Sequence, residues 1–352
     1  MKICDNPLYL QDVRRIAGLE LPWEQLRGRS ILISGATGMI GSFLIDVLME
    51  KNLTDGLNCT IYALGRNEEK ARSRFERWWN DSRFVFVACD INRGVELDVE
   101  TMDYVFHAAS NTHPVAYATD PIGTITTNII GADNLLSFAA THGSRRVLFA
   151  SSVEVYGENR GDREAFSEDY CGYIDCNTLR AGYPESKRAG EALCQAYIRQ
   201  KGLDVVIPRL SRTYGPTMLM SDTKALSQFI KKGVAGEDIV LKSEGTQLFS
   251  YTYVADAVSG VLYCLLRGEC GEAYNIADSA SDIMLRDLAA IIARFAGRQV
   301  VFDLPDATER AGYSTATKAV LDSSKIRTLG WTAYDTIQTG LERTLRILKD
   351  AK

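Results

Sequence analysis

Histidine is nearly absent: His107, His113 and His142 are the only three in 352 residues, and the eight cysteines are scattered without a Cys-x-x-Cys pair. A zinc site assembled from closely spaced imidazoles and thiolates has no basis here, and we expect no bound metal. Positive charge is not in excess either. Forty Lys and Arg face forty-five Asp and Glu, a net charge of −5, so no basic face advertises nucleic acid. Apolar runs all fall short of a membrane span, and the opening Met1-Lys2-Ile3-Cys4-Asp5 is not a signal peptide. These absences leave a soluble protein of the reducing cytoplasm as the expectation. What is present is bulk: at 46% hydrophobic, the chain buries a large core as one big domain or two linked lobes.

The chain is organised around residues 31 to 41, Ile-Leu-Ile-Ser-Gly-Ala-Thr-Gly-Met-Ile-Gly. The apolar run predicts a strand buried on both faces, and Ser42 to Lys51 continues with the apolar period of a helix. A strand turning on glycine into a helix aims free backbone N–H groups and the positive end of a helix dipole at one point. Gly35 permits the tight turn, Gly38 lets a diphosphate approach the backbone, and Gly41 lets the helix lie close to the strand. A dinucleotide site follows, with Thr37, Met39 and Ile40 lining the same loop.

Before it, residues 1 to 28 read as an arm, with one amphipathic helix from Leu8 to Ala17. After it, Cys59 to Leu64 is a second strand. Gly65 stands at its end, where an acid would bind the ribose of NAD, and Arg66 follows. A guanidinium there pairs with a 2′-phosphate, which favours NADP over NAD. Phe84 to Ala88 is a third strand with Asp90 and Ile91 at its end. A fourth starts at Tyr104 and runs into Ala108-Ala109-Ser110, small residues against which a flat cofactor can lie. His107 reads as a core histidine. A helix from Gly123 to Thr141 and a fifth strand from Arg146 to Ala150 complete an alternation of strand and helix, the pattern of a doubly wound parallel sheet.

Chemistry enters at Ser151-Ser152-Val153-Glu154-Val155-Tyr156-Gly157, followed by Tyr183-Pro184-Glu185-Ser186-Lys187. Tyr183 and Lys187, four apart, share one helix face. A phenol is a poor base near its usual pKa of about 10, and a neighbouring ammonium and a cationic nicotinamide would lower it. With Ser152 on the same substrate oxygen, the set moves a proton on a carbinol while hydride passes to or from a cofactor.

These stretches, with Arg209-Leu210-Ser211-Arg212-Thr213-Tyr214-Gly215-Pro216, resemble the extended short-chain dehydrogenase/reductases that act on nucleotide-linked sugars, over about Ser30 to Lys349. Within that family the chain is most similar to the UDP-glucuronate decarboxylase branch, through Ser167-Glu168-Asp169-Tyr170-Cys171-Gly172, Leu179-Arg180-Ala181-Gly182-Tyr183 and Phe229-Ile230. The resemblance implies a Rossmann-type α/β fold and a smaller substrate lobe. We divide the chain into an arm (1–28), a cofactor domain (29–212, with a return segment 251–279) and a lobe (213–250 and 280–352). It implies catalytic roles for Ser152, Glu154, Tyr183 and Lys187. It adds Arg209 to the cofactor contacts and gives Ser152, Arg180, Arg212 and Thr213 to the substrate. It also implies a homodimer through the helices near 123–141 and 184–201.

Departures stand beside the match. The family usually places Asn at Arg212, Arg at Thr217, and a diphosphate-binding Arg where Phe249 stands in Gln247-Leu248-Phe249-Ser250-Tyr251. Arg212, Lys224 or Arg310 would have to supply the missing charge. Three functions remain: an NADPH-dependent reductase of a sugar ketone, which Arg66 favours and which we place first; a redox-neutral decarboxylase, dehydratase or epimerase working through a keto sugar with Glu154 as acid/base; and a non-catalytic cofactor-binding protein.

Overall fold

The structure is a computed structural model that describes residues 1–112, 117, 119–303 and 316–351; Arg310, one of the candidate cations, lies outside the described residues. Strand β1 (Ser30–Ser34) is fully buried beyond its first residue. Such a strand needs partners on both edges and helices on both faces. It has them: β2 (Thr60–Gly65) on one edge sets Ala63 opposite Ile33, and β4 (Tyr104–His107) on the other sets Phe106 opposite Ile33.

β3 (Phe84–Ala88) extends the sheet beyond β2. β5 (Arg146–Phe149), β7 (Val205–Leu210) and β11 (Ala273–Ile276) extend it beyond β4. The resulting order is β3-β2-β1-β4-β5-β7-β11, every pair parallel, with the short β6 (Ser151–Ser152) against β7. This is a Rossmann-type doubly wound sheet. Chain direction across the sheet reverses between β1 and β4, so a crevice opens at their carboxyl ends. The sequence reading places β1, β2, β3 and β5 within a residue or two and starts β4 correctly at Tyr104, but it names no strand at β6 or β7.

The helix after β1, Met39–Thr54, is buried on nearly all sides, its polar Asp46, Glu50, Lys51 and Asn52 included. Of its two buried acids, Asp46 is paired by Arg74 at 2.5 Å, Trp78 Nε1 at 2.7 Å and the Tyr9 hydroxyl, and Glu50 by Arg14 Nε at 3.0 Å. Helices Pro121–Thr141 and Gly182–Lys201 lie side by side, joined by the Asn128 amide donating to Ser186 Oγ at 3.0 Å.

The arm is a docked element. Asn6 caps helix Pro7–Ala17 by accepting from Leu8 N at 2.9 Å. Its fully buried Asp12 receives the Tyr253 hydroxyl at 2.7 Å and Arg343 at 2.8 Å. A buried carboxylate is tolerated only with such partners, so the arm is fastened to the last helix, Ile337–Asp350.

A second sheet, and a separate pair formed by β9 (Ile239–Leu241) and β13 (Val300–Phe302), escaped the sequence reading. β10 (Leu248–Tyr253) is flanked by β12 (Asp282–Met284), β14 (Lys318–Ala319) and β8 (Arg212–Tyr214). Three of these strands are only two or three residues long, too short to show a period. β10 carries the chain directly into helix Val254–Arg267 and back to β11. Among the described residues no helix is long and apolar enough to cross a membrane.

Candidate active site

Gly35 has φ +69, and a Cβ there would meet the Ala108 carbonyl at 2.8 Å. A Cβ on Gly41 would lie 2.6 Å from the Gly35 oxygen. The two glycines let β1, the end of β4 and the helix start converge as only glycine permits. Gly38 heads helix Met39–Thr54 without any side-chain cap, leaving its first N–H groups to the crevice. Thr37, Gly38, Met39 and Ile40 are half-buried around it.

Ser34 Oγ accepts from the Ala108 and Ala109 N–H groups, both at 3.2 Å, and bonds His107 Nδ1 at 2.8 Å. It fixes the chain of Ala108, Ala109 and Ser110 beside the glycine loop. Nothing in the sequence reading singled out this serine, though it ends the key strand. Burial, aided by the Lys187 charge, pushes His107 down to about 3. It is therefore a neutral core residue, as expected. A bare glycine turn, uncapped helix N–H groups and small residues opposite them together fit a dinucleotide.

Just past the tip of β2, Arg66 is exposed; burial lowers the pKa of Lys70, with the Arg66 charge adding to the effect. Asp90 caps the turn Ile91–Arg93 by accepting from Asn92 N at 3.2 Å. Ile91 is buried there, its carbonyl held by Asn134 at 2.7 Å.

Tyr183 and Lys187 are both buried on one face of helix Gly182–Lys201. Lys187 Nζ donates to the Ala150 carbonyl at 2.7 Å, and burial lowers its pKa to about 8. Burial also raises Tyr183 to about 12; a hydrogen bond with Ser152 works against this rise and the Glu154 charge adds to it. In the protein itself desolvation is the dominant influence on the phenol; the lowering expected of the ammonium and a cationic nicotinamide together concerns the loaded site. Tyr117 stacks on Tyr183 with ring centres 5.2 Å apart, a contact with no sequence signal.

Glu154 follows directly on β6, its N–H donating to Ser152 Oγ at 3.3 Å. Its carboxylate sits between Arg180 Nη2 at 3.5 Å and Arg212 Nη2 at 3.8 Å. Arg212 comes from β8, its guanidinium 3.6 Å from the Phe249 ring centre. Thr213 beside it is half-buried and donates to the Ser211 carbonyl at 3.3 Å. Lys224 reaches Thr112 at 3.3 Å and Asp222 at 3.7 Å; burial lowers its pKa, with the Arg212 charge adding to the effect. Thus Ser152, Glu154, Tyr183, Arg180 and Arg212 converge on one cleft.

Arg209 is placed differently. Nε and Nη2 hold both oxygens of Glu191 at 3.0 and 2.6 Å, while Nη1 holds the Tyr156 hydroxyl and the Glu168 carbonyl. Four of its five donors are committed within the protein. Glu191 also accepts from Ser151 and helps keep Lys187 charged. The reading missed Glu191, although its spacing of four from Lys187 puts both on one helix face.

A glycine-lined crevice beside half-buried Ser152 and the buried Tyr183–Lys187 pair is the arrangement of a dinucleotide-dependent enzyme, and the comparisons agree. The profile of the NAD dependent epimerase/dehydratase family matches residues 31–277. UDP-glucuronic acid decarboxylase 1 of Danio rerio is 30% identical over 321 residues, covering 90% of this chain and 72% of the relative. UDP-glucuronic acid decarboxylase 3 of Arabidopsis thaliana is 34% identical over 241 residues, 68% of this chain and 67% of the relative. The dTDP-glucose 4,6-dehydratase of Streptomyces venezuelae, solved with NAD, superposes with a TM-score of 0.76 at 25% identity, covering 91% of this chain and 97% of that one. The chain belongs to the NAD dependent epimerase/dehydratase family, whose members here are nucleotide-sugar decarboxylases and dehydratases.

Proposed function

We propose that the protein converts a nucleotide-linked sugar without net oxidation or reduction, through a transient keto sugar. The observation that carries this reading is Glu154, a second acid/base group beside Tyr183 and held between Arg180 and Arg212. A plain ketone reduction needs one proton at one carbon, which Tyr183 supplies. Decarboxylation and dehydration each need further proton work after oxidation, whereas epimerisation at the oxidised carbon needs only that the keto sugar turn its other face to the hydride. The names of the relatives point the same way, and the reductase we placed first gives way to this alternative.

A bound nicotinamide supplies hydride acceptance and return. Tyr183 takes the carbinol proton and gives it back, Ser152 holds the substrate oxygen, and Lys187 lends positive charge from its anchor on Ala150. Glu154 handles the proton at the neighbouring carbon. The test is whether a hydride removed from the sugar returns to it.

For the dinucleotide, Arg66 just past the tip of β2, with Lys70 on the helix that follows (Glu68–Arg74), suits a 2′-phosphate, so we retain NADP as the preferred form, while NAD is what the solved dehydratase holds. Ile122, Ile129 and Ile130 lie exposed on helix Pro121–Thr141, next to helix Gly182–Lys201. An apolar stripe of this kind calls for a cover, and a second copy of the chain is the cover we propose. The eight cysteines are all free, in keeping with a cytoplasmic setting.

A further inference from the structure

We infer that the rim of the sheet opposite the catalytic cleft carries a second binding site, for a small molecule bearing a diphosphate. This site is independent of the chemistry proposed for the cleft.

The strands of a parallel sheet all start at one rim. Arg29 stands immediately before β1, Tyr104 opens β4, Arg145 and Arg146 lead into β5, and Asp204 precedes β7. The catalytic groups lie past the carboxyl ends of the same sheet, so the two rims are roughly 15 Å apart, the length of a five-residue strand. Arg267, the last residue of helix Val254–Arg267, and Gln25 of the arm complete a cavity of about 400 Å³ at the starting rim. That volume falls in the range of small-molecule sites. Gln25 is held from two sides: its carbonyl accepts from the Tyr104 hydroxyl at 3.1 Å, and its amide donates to the Leu266 carbonyl at 3.4 Å. The arm's wall of the cavity is therefore fixed to the sheet.

Four arginines line this cavity, and the acids beside them are already engaged. Asp103 Oδ1 accepts from Arg29 Nη1 at 3.3 Å and Arg145 Nε at 2.9 Å, while Oδ2 accepts from the Ser30 N–H at 3.0 Å and its hydroxyl at 3.1 Å. Asp204 is gripped by Arg146 through Nε at 3.2 Å and Nη2 at 2.8 Å. Glu24 pairs with Arg27 outside the set, at 2.6 and 2.8 Å. Arg267 donates to the Glu20 and Leu329 carbonyls at 2.9 and 3.0 Å and meets no carboxylate among the described residues. Because Asp103 is shared by Arg29 and Arg145, two guanidinium charges at the cavity lack a carboxylate of their own. Arg145 spends only Nε, and its two outer nitrogens have no hydrogen-bond partner among the described residues.

These features select the ligand. A guanidinium edge takes two phosphate oxygens at once. The guanidiniums of Arg29, Arg145 and Arg267 reach the cavity from three separate elements, which suits oxygens spread tetrahedrally better than the single plane of a carboxylate. Two surplus positive charges match two linked phosphates. Tyr104 is 5% exposed and offers no open ring face for a base to stack on, so the phosphates are what this site reads.

The test is equilibrium dialysis of radiolabelled inorganic pyrophosphate against the dinucleotide-loaded protein, freed of unbound dinucleotide, at physiological salt. The wild type should bind with a Kd of roughly 10–100 μM, the value of two or three charge-assisted contacts. Arg145→Gln and Arg267→Gln should each weaken binding by about 10–100-fold, whereas Arg212→Gln in the catalytic cleft should change it by less than about threefold. Unchanged dinucleotide affinity, read at the opposite rim, reports that each variant is folded. Arg145 and Arg267 lie on separate elements, so either variant alone decides the outcome. Absence of binding, affinity that survives both rim variants, weakening confined to Arg212→Gln, or displacement of pyrophosphate by an equal concentration of citrate overturns the inference.

Discussion

Replacing Glu191 by Gln tests the hidden support of the site. The Arg209–Glu191 pair is bidentate, and its side chains are 13% and 14% exposed, so solvent screens it little. Gln keeps one acceptor but presents an NH2 group to the guanidinium and removes the counter-charge. Losing one charge-assisted bond costs about 1.5–3 kcal/mol, and breaking a buried pair from one side costs about 3–5 kcal/mol. Arg209 retains the Tyr156 hydroxyl and the Glu168 carbonyl, which limits the damage. We expect a loss of roughly 2–4 kcal/mol, read as a melting temperature lower by roughly 3–5 °C for a chain of 352 residues. A second readout follows from Lys187, which burial already lowers to about 8 and which Glu191 holds up. Without that carboxylate the ammonium deprotonates at lower pH, so activity that needs it should fall off at lower pH than in the wild type. A melting point within 1 °C of wild type with an unshifted pH profile would refute the assignment of Glu191 as a positioning residue.

Tyr183→Phe should lower turnover by roughly 10²–10⁴-fold while dinucleotide affinity is retained, because the glycine loop is untouched; turnover within tenfold of wild type would remove Tyr183 from the reaction. Glu154→Gln should leave the first oxidation intact and accumulate a product lighter by two hydrogens in mass spectrometry of a nucleotide-sugar panel, whereas ordinary NADPH-dependent reduction by this variant would restore the reductase. Arg66→Ala should weaken NADP by roughly one to two decades and leave NAD nearly unchanged, as isothermal titration would show; equal losses would make Arg66 a surface residue.

Legibility in the sequence followed the length and regularity of each signal. β1, its glycine turn and the helix behind it were plain because three local patterns coincide within some twenty residues. The Tyr183–Lys187 pair was plain because helical spacing is local. The small sheet was not, because β8, β12 and β14 are too short for alternation and pair only through the chain's return. The neighbours of Glu154 were partly visible: Arg180 and Arg212 were named, but their closing on the same carboxylate depends on β8 meeting β10. Arg209, on β7, came to the cofactor contacts by resemblance alone, and nothing local in the sequence signals the Glu191 carboxylate it grips. The dominance of burial at Tyr183 was not legible, since desolvation is a property of packing that no motif records.

The central claim is that hydride leaves the sugar and comes back. The direct measurement uses UDP-glucuronate carrying deuterium at the carbinol carbon, mixed with the cofactor-loaded protein and no added reductant. The account predicts a transient absorbance of the reduced nicotinamide near 340 nm, its disappearance within each turnover, and a product that retains deuterium without net consumption of cofactor. Stoichiometric consumption of NADPH, or deuterium left on the cofactor at the end of the reaction, would contradict it.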